Sequence, residues 1–402
     1  MNSYALTTDP AVFDSLQRRG LLVGVAGLVI GGIGAALQPS QLWPSWLIGF
    51  MFCLGMTLGS LAMLMLNHMV GGLWGMSTRR LFEAGSRLLP YCMLLFIPIC
   101  FVLPKLYVWA RPGAIAADEV LAHRGVYFHT WFFLLRAAIY FAVWGFCAYY
   151  LNRWSVQQDR GEVAQNEPDT RRFRVISAPG LLLYVVLISL ASIDWLMSLD
   201  AHWFSTMFGF IMVAGQGLGA LSFAVAVLAL LVNTEPLRSF LRPVMFHDLG
   251  KLMLAFVMLW AYFSFSQFLI IWAGNLPEEI IWYLARMRYG WGYVSVIGIA
   301  FGHFVFPFCV LLSASLKRRP QSLARVAWYI VAVRLLDLIW IVSPEFNQGN
   351  TIGFPVSIAN VFLPIGMFGI WVFLFARTLR TQPLLPANDP YFKEMVLNAS
   401  GH

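Results

Sequence analysis

The stretch from Phe208 to Val232, FGFIMVAGQGLGALSFAVAVLALLV, holds no charged residue. As a helix it is long enough to cross a bilayer, whose hydrocarbon core needs roughly 20 mostly apolar residues. The run containing it extends over 204–232. Reading outward along the 402-residue chain finds nine more: 20–37, 45–66, 88–104, 128–151, 177–198, 247–273, 291–316, 323–343 and 353–377. The expected class is an all-α integral membrane protein of about ten transmembrane helices.

Composition points the same way. Hydrophobic residues make up 59% of the chain and charged residues 11%, less than half of the roughly 25% charge of a soluble protein. The formal charge of +8 would suggest nucleic acid in a soluble chain. Here the basic residues sit in short loops between apolar runs, so no nucleic-acid partner is expected and the lipid bilayer is. Cys53, Cys92, Cys100, Cys147 and Cys309 all fall inside apolar runs, without CxxC or CxxCH, which argues against a disulfide framework, a zinc site and covalent haem. The first 19 residues are polar and carry Asp9 and Asp14, which predicts no cleavable signal peptide.

Basic residues orient the spans. With the N-terminus inside, 19 of the 27 Lys and Arg fall in inside segments and 5 in outside loops. The remainder, Arg136, Lys251 and Arg334, lie within apolar runs. That asymmetry predicts both termini on the cytoplasmic side.

Two matches suggest an internal duplication. Gly55 and Gly59 in the second run correspond to Gly215 and Gly219 in the sixth. Tyr184, Trp195, Ser198 and Asp200 recur at the same spacing as Tyr329, Trp340, Ser343 and Glu345. The pattern predicts two four-helix bundles, 45–198 and 204–343, with 20–37 and 353–377 as peripheral helices and 378–402 as a cytoplasmic tail.

Charge in hydrocarbon is costly, so each ionisable residue in a span is a functional candidate. An outer group comprises His129, Arg136, Asp194, Asp200 and His202. A carboxylate and an imidazole in an aromatic pocket can accept the two protons released by a hydroquinone, so these five are candidate quinone-binding residues. Equally, Arg136 and Asp194 suit a structural ion pair, with His129, Asp200 and His202 capping helix ends. An inner group, Asp248 and Lys251, opens the seventh run, either as a snorkelling pair or as the mouth of a proton path. A third group, Gln267, His303, Arg334 and Asp337, is placed to continue such a path. Arg334 and Asp337 are three apart and share a helix face. No two histidines share a helix at a ligating spacing, so no haem is expected on this chain.

The stretch Ser192-Ile-Asp-Trp-Leu-Met-Ser-Leu-Asp-Ala-His-Trp-Phe-Ser-Thr-Met-Phe-Gly209 resembles the signature of the ActF membrane subunits of bacterial alternative complex III. These are NrfD-like proteins of the polysulfide reductase membrane-subunit superfamily. Phe246-His-Asp-Leu-Gly-Lys251, Trp272-Ala-Gly-Asn-Leu-Pro277 and Tyr289-Gly-Trp-Gly292 add to the likeness, which covers nearly the whole chain. The resemblance implies ten spans in two four-helix bundles and a place in a quinol:electron-acceptor oxidoreductase of the bacterial inner membrane. Quinone is then a possible ligand of this chain. Haem c and iron–sulfur clusters would belong to partner subunits: a multihaem cytochrome c and an iron–sulfur protein, beside the sister NrfD-like subunit ActC. The rival reading from the residues is a proton-coupled secondary transporter using the Arg334–Asp337 pair.

Overall fold

The computed structural model describes residues 10–160, 167–288, 290–346, 356–386, 388–389 and 392. Among them there are helices and short turns but no strand. Ten helices are long and apolar enough to span a membrane: α1 (Val12–Leu37), α2 (Pro39–Val70), α3 (Leu73–Phe101), α4 (Thr130–Asp159), α5 (Arg171–Leu199), α6 (Phe208–Leu231), α7 (Pro243–Gly274), α8 (Trp291–Leu312), α9 (Pro320–Phe346) and α10 (Ile358–Arg380). The chain is a multi-pass membrane protein of the expected class.

The third span begins much earlier than hydropathy suggests. Arg79, Arg80 and Glu83 make residues 73–87 read as a loop, yet they lie inside α3. They tolerate burial because they neutralise one another. Glu83 bridges Arg79 at 2.9 Å and Arg80 at 2.7 Å, Arg80 also pairs with Asp159, and Arg79 reaches Asp389 of the tail at 2.5 Å. The Ser155 hydroxyl donates to Glu83 at 2.7 Å. Buried charges persist only when paired and hydrogen-bonded in this way.

The spanning window of α2 is wholly buried and that of α6 94% buried, so these two form the centre. Helices α3, α4 and α5 group with α2, while α7, α8 and α9 group with α6, and the groups meet where α2 packs on α6. Lipid tails are as apolar as leucine, so helix association rests on close packing of small residues rather than on a hydrophobic drive. A Cβ at Gly59 would fall against the Gln216 backbone and 2.8 Å from Ala220 Cβ. Gly59→Ala is therefore expected to destabilise the protein by ~1–3 kcal/mol through overpacking. Thermal unfolding in detergent measures this, and an unchanged midpoint would remove Gly59 as a determinant of the junction.

The first and last spans, α1 and α10, approach as closely, with a Cβ at Gly27 falling 2.5 Å from Gly366 N. Helix α10 is nevertheless tied inward. Asn360 accepts from Ser45 of α2 at 2.6 Å and donates to Ser343 of α9 at 2.9 Å. Trp371 donates to Thr57 at 2.8 Å. The helix read as peripheral thus clasps both groups.

Candidate functional site

In the first group of helices the duplicated tryptophan is packed shut. Trp195 lies among Phe50, Phe96, Tyr140, Phe141 and Trp144, with ring centroids 5.1–6.2 Å apart. Asp194, beside it, is closed in by a bidentate pair with Arg136, both contacts 2.8 Å, and by the Tyr140 hydroxyl at 2.8 Å. The Arg136 guanidinium donates further to the Tyr127 carbonyl and lies 4.0 Å from the Tyr127 ring centre.

The other members of the outer group have different partners. His129 is the exposed N-cap residue of α4 and makes no capping bond through its side chain. Asp200 accepts from the backbone N–H groups of His202 and Trp203. The His202 ring meets Asp118 at 2.8 Å on the exposed surface. Backbone N–H bonds from Leu121 and Val120, with His202, hold the Asp118 carboxyl below the usual carboxylate range.

At the opposite end, exposed Lys251 donates to half-buried Asp248 at 3.2 Å, with His247 beside them. Deep within the second group, Arg334 and Asp337 form an ion pair with side-chain exposures of 5% and 1%. The Arg334 guanidinium lies against Gly215, on the face of α6 that the small residues leave open. His303 is fully buried against Trp260, their ring centroids 3.7 Å apart, and neither ring nitrogen has a hydrogen-bond partner.

In the second group Trp340, which matches Trp195 in sequence spacing, lines open space. A cavity of about 520 Å³ lies between α7, α8, α9 and the short helix Pro277–Met287. That volume suits a small-molecule site, typically about 300–1,000 Å³ and mostly apolar with a few placed polar groups. Phe208, Ile211, Phe265, Phe268 and Ile299 supply apolar walls, while Gln267, Arg286, Ser264, Ser295 and Asp337 supply polarity. Two of the polar residues carry buried donors without acceptors, Arg286 Nε and Ser264 Oγ.

Local sequence explains the shape. Asn275 ends α7 in the left-handed conformation at φ 48°, and Pro277 starts the next short helix at its first turn. Its amphipathic face turns Trp282 and Arg286 inward. On the far wall, Val294–Val305 of α8 winds as a π-helix. In that winding the Gly302 carbonyl should accept from residue 307, five further on. Pro307 has no N–H. The Tyr329 hydroxyl takes its place, donating to Gly302 at 2.8 Å.

Arg286, assigned to an outer loop by its sequence position, is instead wholly buried. Its guanidinium donates to the carbonyls of Trp282 at 2.8 Å and Ile341 at 2.5 Å, pairs with Glu345 at 3.0 Å, and stacks 3.4 Å from the centre of the Trp282 ring. Burial pushes the guanidinium down to about 10, against the pull of Glu345, so it is charged at neutral pH. The signal is slight: Trp282 and Arg286, four apart, share one helix face in a stretch too short to span.

The second half of the 192–209 stretch, from Asp200 to Phe208, borders the same cavity. Trp203 stacks on Trp282 with centroids 4.6 Å apart and planes 11° apart. Ser205 donates to Gln267 at 2.8 Å, Phe208 lines the wall, and the Asp200 charge bears on Arg286. Among the described residues no three His, Cys, Asp or Glu side chains gather as a metal site. No family model matches the chain, and no curated protein matches it.

Proposed function

We propose that this chain is a membrane subunit of a quinol-oxidising electron-transfer complex of the bacterial inner membrane. We place its quinone-binding pocket in the second helix group rather than at Asp194. The observation that carries the reading is the apolar, aromatic cavity with unanswered donors at Arg286 and Ser264. A quinone ring offers two carbonyl acceptors on a flat apolar body, and such a body stacks on aromatic walls. The exposed faces of Tyr262, Phe265, Phe268 and Val296 at the cavity margin are apolar, as a path from the lipid phase requires.

Bound there, quinol would supply two electrons and two protons. On this chain, Arg286 and Gln267 would orient an oxygen of the ring, and Asp337 is the ionisable acceptor on the inner wall. A proton path from Asp337 would start at its pair with Arg334, with the separate Asp248–Lys251 pair at the start of α7 as the mouth. Electrons would pass to iron–sulfur and haem c groups on partner subunits, beside the sister NrfD-like subunit.

The test is retention of quinone. Ser264→Phe puts a ring into the cavity and is expected to lower the quinone extracted from the purified protein by at least about tenfold, ~1.4 kcal/mol. Retention equal to that of the parent would eliminate the cavity as the site. Purification in mild detergent adds a second readout. Haem absorbance travelling with the chain favours the complex, while a lone chain that drives solute uptake in vesicles favours the transporter reading, for which the buried Arg334–Asp337 pair is the supporting observation.

A further inference from the structure

A second recess lies on the opposite half of the molecule, between α3 and α4 at the end that carries Arg79 and Arg80. Its volume is about 370 Å³. Leu89, Pro90, Met93, Gly145 and Ala148 form an apolar trough, and Arg87, Arg153, Asn152 and Tyr149 form its polar head. The trough has room at Gly145, where a Cβ would meet the ends of Leu89 and Met93 at 3.9 and 4.0 Å.

The charge at the head is unlike that of its neighbours. Arg79 and Arg80 are neutralised by Glu83, Asp159 and Asp389. Arg87 donates to the Asn152 side-chain oxygen at 2.7 Å, meets the Gln382 side-chain amide and shares the Glu83 and Asp159 charges with Arg80, whereas Arg153 donates to the neutral Tyr149 hydroxyl at 3.2 Å. Arg153, exposed and bonded to a neutral hydroxyl, therefore stands with Arg87 over an apolar trough on a helix pair whose outer residues, Leu94, Ile97 and Phe146, face outward. An acyl chain suits the trough, and a phosphodiester suits the head, since guanidinium donates to phosphate oxygens in a matching fork.

We infer that this recess is a binding site for an anionic phospholipid, with the phosphate between Arg87 and Arg153 and an acyl chain along Leu89, Met93 and Gly145. The site is separate from the cavity and does not rest on the quinone reading. Its position at a basic helix end agrees with the attraction of such ends to anionic leaflets.

Native mass spectrometry of the full-length protein, delipidated in detergent and offered phosphatidylglycerol or phosphatidylcholine, tests the site. Phosphatidylglycerol is expected to be retained about fivefold over phosphatidylcholine, the effect of one basic residue at an anionic surface. Arg153→Gln, at an exposed position, should erase that preference. Gly145→Leu fills the trough and should lower retention of phosphatidylglycerol while leaving both guanidiniums in place. Displacement of the lipid by inorganic phosphate alone would show a free-anion site and overturn the proposal. So would retention unchanged in both variants.

Discussion

Replacing Asp337 with asparagine is expected to destabilise the protein by ~3–5 kcal/mol, because it leaves the Arg334 guanidinium buried without its counter-charge. The two residues sit one turn apart on α9, with Arg334 pressed on the glycine face of α6. Neither can turn to lipid without moving the helix. The double variant Arg334→Met/Asp337→Leu should recover most of the loss, since exchanging a buried pair for apolar groups of similar volume is often neutral. Denaturant titration in mixed micelles gives both numbers. A single variant as stable as the parent would show that the pair is not a packing element. Turnover separates the remaining roles: if Asp337 accepts protons from the cavity, the stable double variant assembles with its partners but oxidises quinol slowly. If the pair only holds α9 on α6, the double variant turns over normally.

Much of this architecture is legible in the sequence because length and hydropathy encode spans directly. The ten helices follow from long apolar runs, and Gly55, Gly59 and Gly219 of the glycine matches lie at the α2–α6 junction. The start of α3 was hidden, since hydropathy scores Arg79, Arg80 and Glu83 singly while the structure buries them as a network with Asp159, Ser155 and Asp389. Only the Arg79–Glu83 and Arg80–Glu83 spacings, four and three residues, hint at the pairing.

The cavity was less legible still. Trp195 and Trp340 match in sequence spacing, yet one is surrounded by Phe96, Phe141 and Trp144 while the other donates to Ser295 at 2.7 Å beside open space. Whether rings from neighbouring helices close over such a residue depends on helix placement, which no local period records. Titratable residues were the natural guide to the site. They led to Asp194, whose charge is answered in full by Arg136 and Tyr140. Arg286 and Ser264, two cavity residues with unanswered donors, stand in a loop-like stretch and an ordinary apolar run.

Arg286→Met should then be among the most damaging single changes, costing ~3–5 kcal/mol, since it strands Glu345 with its side chain 10% exposed. It also strands the Trp282 and Ile341 carbonyls and removes the cation stacked on the Trp282 ring. Arg286→Lys keeps the charge but not the planar fork, and an ammonium cannot serve two carbonyls and a carboxylate in the same geometry. An intermediate loss is expected for it. Stability alone does not tell a strut from a ligand contact, so quinone retention is measured on the same samples. With a quinone oxygen on Arg286, Arg286→Lys loses retention well beyond what its unfolded fraction explains, whereas a strut loses only in proportion to that fraction. Ser264→Phe is the control from the other side, blocking the cavity without disturbing the ion pair. Parent-like melting and retention in Arg286→Met would leave the buried guanidinium without a role in either the fold or the cavity.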